Sequence, residues 1–376
     1  MNSALIIGGS NGIGLALVYK LLDREYEKIY VVDRDAPNID SDKIVFLKTN
    51  LIDDDYSVFD DLNDVNTIIY TAGFGRVAHF ESILETEMIN CIKVNLIGFM
   101  KIIKKYYHKI QGKTPFYCAA MGSIAGYISS PLFSVYGASK AGVVKFIESI
   151  NVELAKKGTN NRILNVSPGS IKGTSFTKEK TDLNLLSHLA EEILQRMFLH
   201  EEEYIPEYDN VYKFVIKKYQ TDKKLFGLES YDYKIVKKRI NLKPQMKIGY
   251  LSGTFDLFHV GHLNLMKRAK QYCDYLVVGV HKDGSHKGKE TYIPFAERIA
   301  IVESVRYVDK VIPSLPEDDD VYDLIKYDFL FVGSDYEGTE RFNRYEKVLK
   351  PKGVKIIYFP YTHTTSSTQI RDNLKI

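Results

Sequence analysis

The sequence predicts an α/β protein: a parallel, doubly wound sheet followed by a second, smaller α/β unit. Three observations carry that prediction. From residue 1 to about 170, short β-branched runs alternate with Gly-rich or polar turns and helical periods. Residues 183–240 then show Leu, Ile, Phe and Tyr at helical spacing among many Lys and Glu, without strand alternation. A new strand signal begins abruptly at residue 247.

Strands are expected at 4–7, 29–32, 44–46, 67–70, 115–119 and 162–166, the first followed by a helix over 15–22. Strands separated by helical periods imply βαβ units and hence a parallel sheet. The 183–240 region reads as helices capping this domain. In 237–246 three basic residues precede Asn-Leu-Lys-Pro, the polar, Pro-marked character of a boundary. The domains are therefore expected at 1–240 and 247–376, joined by a linker at 241–246. The second unit is expected to hold strands at 247–251, 275–280, near 329–332 and 354–359, with helices at 263–271 and 296–304. No sequence repeat relates the two units.

Composition narrows the function. The chain has 376 residues, 45% hydrophobic and 26% charged, enough for more than one core at roughly 100–200 residues per domain. Lys plus Arg 51 against Asp plus Glu 48 leaves a net charge of +3 with no basic block, so nucleic acid is a poor expected partner. Cys91, Cys118 and Cys273 are odd in number, far apart and in no CxxC pair. They support neither a disulfide framework nor a thiolate zinc site, and fit a reducing compartment. The apolar stretch 4–7 is too short for a signal peptide, and no run approaches the ~18 apolar residues of a membrane span. A cytoplasmic protein without a membrane partner is expected.

The first candidate site opens at Gly8-Gly9-Ser10-Asn11-Gly12-Ile13-Gly14, directly after the first strand and before the first helix. Glycines let backbone approach a pyrophosphate, and the helix N-terminus supplies free N–H groups. Asp33, at the end of the second strand, suits ribose hydroxyls, whereas Arg34 equally suits a 2′-phosphate, so NADH and NADPH stay unseparated. Tyr136 and Lys140 are four apart on one helical face, with Ser123 just past a strand. An ammonium beside a phenol is expected to lower the Tyr pKa.

Gly8/Gly12/Gly14, Tyr70-Thr71-Ala72-Gly73, Asn95, Ser123, Tyr136-x-x-x-Lys140 and Pro168-Gly169 stand in one order. In them, residues 1 to about 175 resemble a short-chain dehydrogenase/reductase. The resemblance implies a Rossmann-type sheet and a nicotinamide cofactor held by Gly8, Ser10, Asn11, Gly12, Ile13, Gly14, Asp33, Arg34, Ala72, Gly73, Pro168 and Gly169. It also implies that Tyr136 gives the proton to the substrate oxygen and Ser123 polarises the carbonyl. Lys140 would bind the nicotinamide ribose and acidify Tyr136, and Asn95 would complete a water relay. The sequence departs from the family where Tyr70-Thr71 replaces Asn-Asn and Asn50 stands where an acid often meets adenine. The family's final glycine-rich strand is not evident either.

The second candidate site is Gly253-Thr254-Phe255-Asp256-Leu257-Phe258-His259-Val260-Gly261-His262, between a strand and a helix. Two imidazoles and free backbone N–H groups around one point suit a nucleotide triphosphate, whose transfer needs charge stabilisation above all. His-x-x-His zinc ligation lacks further ligands at suitable spacing, so no metal site is expected. With these flanks, HxGH resembles the nucleotidyltransferase superfamily, and 247–376 is most similar to its glycerol-3-phosphate cytidylyltransferase branch. That resemblance implies a smaller Rossmann-like domain using CTP with Mg²⁺. His259, His262 and Lys289 would act in catalysis. Gly253, Thr254, Phe255, Lys287, Asp335, Ser366, Ser367 and Thr368 would hold nucleotide, and Arg298 and Arg306 substrate phosphate. Tyr361 replaces a family arginine, so that a phosphate contact is either missing or supplied by Arg341, Arg344 or Arg371.

Other features read as ordinary. Tyr204, Tyr208, Tyr212 and Tyr219 suggest packing or a subunit interface, and the acidic runs 53–55 and 317–320 suggest solvated loops. Together the two sites predict consecutive steps. A ketose phosphate, with ribulose 5-phosphate as the best guess, is reduced to an alditol phosphate. That product is converted with CTP to a CDP-alditol such as CDP-ribitol or CDP-glycerol, for capsule or cell-wall polymers. A homo-oligomer is expected from both resemblances. The alternatives are a reductase of an already activated nucleotide sugar and an NAD(P)-binding scaffold.

Overall fold

A computed structural model describes residues 2–174, 176, 179–241, 246–283, 291–360 and 370. The chain divides into two compact units, Met1–Gln245 and Met246–Ile376.

The first unit runs β1 Ser3–Ile7, α1 Gly12–Leu22, β2 Lys28–Asp33, β3 Ile44–Lys48, β4 Val65–Tyr70, α2 Glu85–Ile92 and α3 Gly98–Ile110. It continues β5 Tyr117–Met121, α4 Ser134–Lys156, β6 Ile163–Val166, α5 Leu183–Phe198, β7 Glu203–Tyr204, α6 Lys213–Thr221 and α7 Lys223–Val236. Its strands pair in parallel in the order β3-β2-β1-β4-β5-β6-β7. Both faces are covered, which is why β1 is apolar from Ala4 to Ile7. Leu5 and Ile7 enter a core with Ile68, Phe99, Ile103 and Ile147. Ala4 and Ile6 enter another with Leu17, Val31, Leu189 and Ile193.

One expectation fails here. A final strand exists, but it is the two-residue β7, too short to show alternation, and it pairs with β6 through Val166 and Tyr204. Tyr204 therefore belongs to a strand edge and not to a helical stripe; its hydroxyl donates to Glu192 at 2.6 Å.

The second unit runs β8 Ile248–Gly253, α8 Val260–Lys270, β9 Tyr275–Val280, α9 Phe295–Glu303, β10 Lys310–Pro313 and α10 Asp318–Ile325. It ends with β11 Phe329–Gly333, α11 Glu340–Leu349 and β12 Lys355–Phe359. The sheet is parallel, ordered β10-β9-β8-β11-β12, with a core on each face. β10, α10 and α11 were not expected. The acids at 317–320 are a helix start and not a solvated loop, because carboxylates in a first turn complement the helix dipole. Asp318 is buried among them, and burial pushes its carboxyl up.

Both sheets place their first strand centrally, the next two on one side and the fourth and fifth on the other. The order reverses beside β1 in one sheet and beside β8 in the other. Open α/β sheets bind ligands at such a reversal, at the carboxyl ends of the strands, and in the first unit a cleft opens there. Among the described residues no helix is long and apolar enough to cross a membrane.

Candidate active sites

The Gly8–Gly14 turn lies at the carboxyl end of β1. Gly8 has φ +89°, and a Cβ there would lie 2.5 Å from Ala72 N. A Cβ on Gly14 would lie 2.1 Å from the Gly8 carbonyl, so the turn closes tightly only with glycine. Thr71 contributes a hydroxyl 3.0 Å from the Ile7 carbonyl and 2.9 Å from that of Gly8, tying β4 to the turn. Asp33 accepts from Ser10 N at 3.0 Å and from Arg34 N at 2.7 Å. Ser10 Oγ is buried without a hydrogen-bond partner among the described residues. A cradle without room for side chains, an orphaned buried hydroxyl and a helix N-terminus fit a pyrophosphate. The Gly12 N–H already donates to Thr181 Oγ1 at 2.9 Å.

The turn is one end of a cleft of about 650 Å³ that runs past Asn11, Ile13, Ala72, Gly73 and Pro168 to Tyr136. Tyr136, Lys140, Ser123 and Asn95 converge there. Lys140 is buried and donates to the Met121 carbonyl at 2.7 Å, its Nζ 5.6 Å from the Tyr136 ring centroid. Desolvation brings its pKa down to about 8. Ser123 Oγ accepts from Ala125 N at 3.2 Å, and its hydrogen bonding to the Tyr136 hydroxyl favours the phenolate. Asn95 donates to Ser139 Oγ and to the Phe74 carbonyl, both at 2.9 Å. A Cβ on Gly73 would lie 3.1 Å from Asn95 Oδ1 and 3.3 Å from Lys140 Nζ, so these two polar groups flank one point.

The expected acidification of Tyr136 by Lys140 is not found. Burial dominates and pushes the phenol up to about 12, against the smaller opposing effect of Ser123. The reason is geometric: the ammonium bonds the Met121 carbonyl and lies over the ring. Tyr136 therefore rests as a protonated acid.

The departure at Tyr70 has a structural role. Its buried hydroxyl donates to the Val94 carbonyl at 2.5 Å, within the π-helical turn Lys93–Ile97 that presents Asn95. Asn50 lines the cleft and accepts from Ile52 N at 3.3 Å.

Sequence reasoning missed the other wall of this cleft. Lys234, Lys237, Lys238 and Arg239, read as helix end and linker, line it. The Tyr212 hydroxyl lies against Gly169, and Phe133 stacks on Tyr136 at 4.2 Å. The basic run was visible; its return to Ser130 and Ser170 was not.

In the second unit, the loop from Gly253 to His262 joins β8 to α8. Phe255 and Leu257 hold φ of +52° and +50°, strained values for such side chains, which costs on the order of 1–3 kcal/mol each. Asp256 is buried and accepts from Tyr292 N and Ile293 N. His259 caps α8, its Nδ1 accepting from Gly261 N at 3.0 Å, which leaves the proton on Nε2. Desolvation lowers its pKa. The His262 ring lies 4.0 Å away at 26° between Phe255 and Phe258, so the two half-buried imidazoles do meet. Asp335 is exposed just past β11, the strand beside β8.

One phosphate assignment changes. Arg298 is fully buried and donates to the carbonyls of Ile293, Thr254, His281 and Lys282 at 2.5–2.9 Å. It clamps loop backbone and does not face an exposed phosphate. Arg306 is exposed, donating to the neighbouring Tyr307 hydroxyl at 2.8 Å. Arg341 and Arg344 pair with Glu317. Lys287, Lys289, Tyr361, Ser366, Ser367, Thr368 and Arg371 lie outside the described residues. Among the described residues no cluster of three His, Cys, Asp or Glu could hold a metal.

Fold and sites define a fusion of two α/β enzyme domains, and comparison with known proteins agrees. The short chain dehydrogenase family matches residues 2–184, and the cytidylyltransferase-like family matches 250–373. The chain is 38% identical over 126 residues to glycerol-3-phosphate cytidylyltransferase of Bacillus subtilis (strain 168), spanning 32% of this chain and 92% of that protein. It is 30% identical over 177 residues to carbonyl reductase family member 4 of Xenopus tropicalis, spanning 44% and 74%. A short chain dehydrogenase from Burkholderia cenocepacia J2315, solved in complex with NADP, shares the fold. Its TM-score is 0.51 at 17% identity, covering 61% of this chain and 96% of that one. The chain belongs to the short-chain dehydrogenase family through its first unit and to the cytidylyltransferase-like family through its second. It joins an oxidoreductase to a nucleotidyltransferase.

Proposed function

We propose that the first unit reduces a ketose phosphate with NADPH or NADH to an alditol phosphate. The second then transfers CMP from CTP, accompanied by Mg²⁺, to that product. Ribulose 5-phosphate and CDP-ribitol are the favoured pair, with CDP-glycerol the near alternative, and capsule or cell-wall assembly is the fitting consumer. The carrying observation is the meeting of Tyr136, Ser123 and Lys140 at the far end of the cleft that begins at the Gly8–Gly14 turn, with Asn95 beside Lys140 at Gly73. The nicotinamide cofactor supplies the hydride. Tyr136, protonated up to about pH 12, gives its proton to the carbonyl oxygen that Ser123 orients. Asn95 and Lys140 hold the polar point from which the proton is restored.

In the second unit, the alditol phosphate oxygen attacks the α-phosphorus of CTP; a P–O bond forms there as the bond to pyrophosphate breaks. His259 Nε2–H and His262 stabilise charge on the phosphate oxygens. The geometric complement is a loop whose backbone is fixed by Arg298 and Asp256. A soluble homo-oligomer working in the cytoplasm suits both families.

The test follows nicotinamide absorbance and pyrophosphate release together across C3 to C6 ketose phosphates. Tyr136→Phe should abolish reduction yet leave cytidylyl transfer to supplied alditol phosphate. His259→Ala should slow transfer about 10²–10³-fold and spare reduction. Loss of both activities in either folded variant would refute the division of labour.

A further inference from the structure

The last turn of α7 and the residues after it form a built corner of the reductase cleft. Lys234 is buried, and its ammonium spends three donors on Ser130 Oγ at 3.1 Å, the Pro131 carbonyl at 2.9 Å and Ser230 Oγ at 3.1 Å. It anchors the helix end and has no donor left for a ligand. Lys238 N donates to the Ile235 carbonyl and Arg239 N to that of Lys234, both at 2.9 Å, closing the helix as a Schellman motif. The left-handed position of that motif, ordinarily glycine, is Lys238 at φ +51°. Beyond it, Asn241 N donates to the Val77 carbonyl at 2.8 Å, and Arg76 donates to the Asn241 carbonyl at 2.9 Å while paired with buried Glu87 at 2.7 Å. The segment's backbone is thus pinned at both ends.

The corner lies by the reacting groups. Ser130 is three residues before Phe133, which stacks on Tyr136, and Val77 is two residues after Gly75, where a Cβ would lie 2.7 Å from Tyr136 Cβ. Arg239 donates to Ser170 Oγ at 2.8 Å, next to Gly169. Lys237, Lys238 and Arg239 all line the cleft and have no ion-pair partner among the described residues. The carboxylate among the cleft's described residues is Asp33, at the glycine-turn end. Three uncompensated cations beside the proton donor call for an anion on the substrate, because the helix N-terminus already serves a pyrophosphate at the other end.

Resting on the reductase reading, we propose that Lys237, Lys238 and Arg239 seat the phosphate ester of the ketose, so that this helix end determines specificity for phosphorylated substrates. Arg239 supplies a planar fork for two phosphate oxygens, and the lysines supply point charges.

The full-length protein is assayed with paired ketoses, dihydroxyacetone phosphate against dihydroxyacetone and ribulose 5-phosphate against ribulose. The expected result is a strong preference in kcat/KM for the phosphorylated member. In Lys238→Gln/Arg239→Gln the preference falls about 10²-fold, through KM. Arg239→Lys, which keeps the charge, recovers about a tenth of it or more. Inorganic phosphate should compete with the phosphorylated ketose in the wild type and lose potency in the double variant. An unchanged preference in that variant, or equal use of both members by the wild type, overturns the phosphate seat and leaves reduction standing. Oxidation of nicotinamide by no ketose of either kind, with cytidylyl transfer intact, overturns the reductase reading itself.

Discussion

At the scale of single residues, the reductase site is governed by burial. Tyr136 and Lys140 both sit out of water, and desolvation moves them in opposite directions, the phenol up to about 12 and the ammonium down to about 8. The lysine shift has a consequence for stability. Its folded pKa lies below the unfolded value of 10.5, so the folded state binds fewer protons than the unfolded one between pH 8 and 10.5. Stability therefore rises with pH across that window, and the full penalty for holding the ammonium is present below pH 8. Comparison with Lys140→Met isolates the effect, because other titrating groups cancel. The urea-derived stability of the wild type relative to the variant should improve from pH 7.5 to 10.5 by at most about 3 kcal/mol. A flat difference would show that Lys140 is not buried as a cation. Reduction should be lost in the variant at every pH, the stability–activity trade expected of an active-site charge.

At the scale of elements, His259 does two jobs, one in helix α8 and one in the reaction. Its Nδ1 accepts from Gly261 N, so it is the N-cap, and the proton is left on Nε2 as a donor. The two roles separate by substitution. His259→Ala should lower the second unit's stability by about 1 kcal/mol as well as its rate; His259→Asn should restore the stability, since Asn caps well, and leave transfer impaired. Full recovery of transfer in His259→Asn would mean the imidazole acts only as a cap. The elements also show what was legible in the sequence. Interior strands such as β1 and β9 announce themselves because both sheet faces are buried and apolar runs result, such as Ala4–Ile7 and Leu276–Val278. β7 does not, having two residues, and β10 is a four-residue edge strand, Lys-Val-Ile-Pro, too short to show a period and ending in Pro313. α10 was hidden by its own first turn: Asp318, Asp319 and Asp320 resemble a solvated loop until a helix dipole is seen to need them. In the sites, local spacing was enough for Tyr136 with Lys140 and for His259 with His262, since one helix fixes each pair. The basic corner at 234–239 was not readable, because Lys234 meets Ser130, 104 residues upstream, and Arg239 meets Ser170, 69 upstream, and only the folded chain brings them back. Arg298 misled for a related reason, as a guanidinium that saturates backbone carbonyls looks in sequence like one that binds phosphate.

At the scale of the whole molecule, two sheets of the same starting strand order each have a point where that order reverses, the place where open α/β sheets bind ligands. Each unit also has its own cores on both sheet faces. A ligand that binds one native unit stabilises that unit by mass action, by about 2.7 kcal/mol at a hundredfold excess over its Kd. For domains of this size, that corresponds to roughly 5–10 °C in melting temperature. NADPH should therefore raise the unfolding of Met1–Gln245, and CTP with Mg²⁺ that of Met246–Ile376, each read by calorimetry together with limited proteolysis to assign the transitions. Tyr136→Phe should keep the NADPH shift, because the lost proton is needed for chemistry and not for holding the dinucleotide. An equal response of both units to either ligand would mean that nucleotide binding in one crevice is coupled to the other, and that two self-contained cores do not make two independent enzymes.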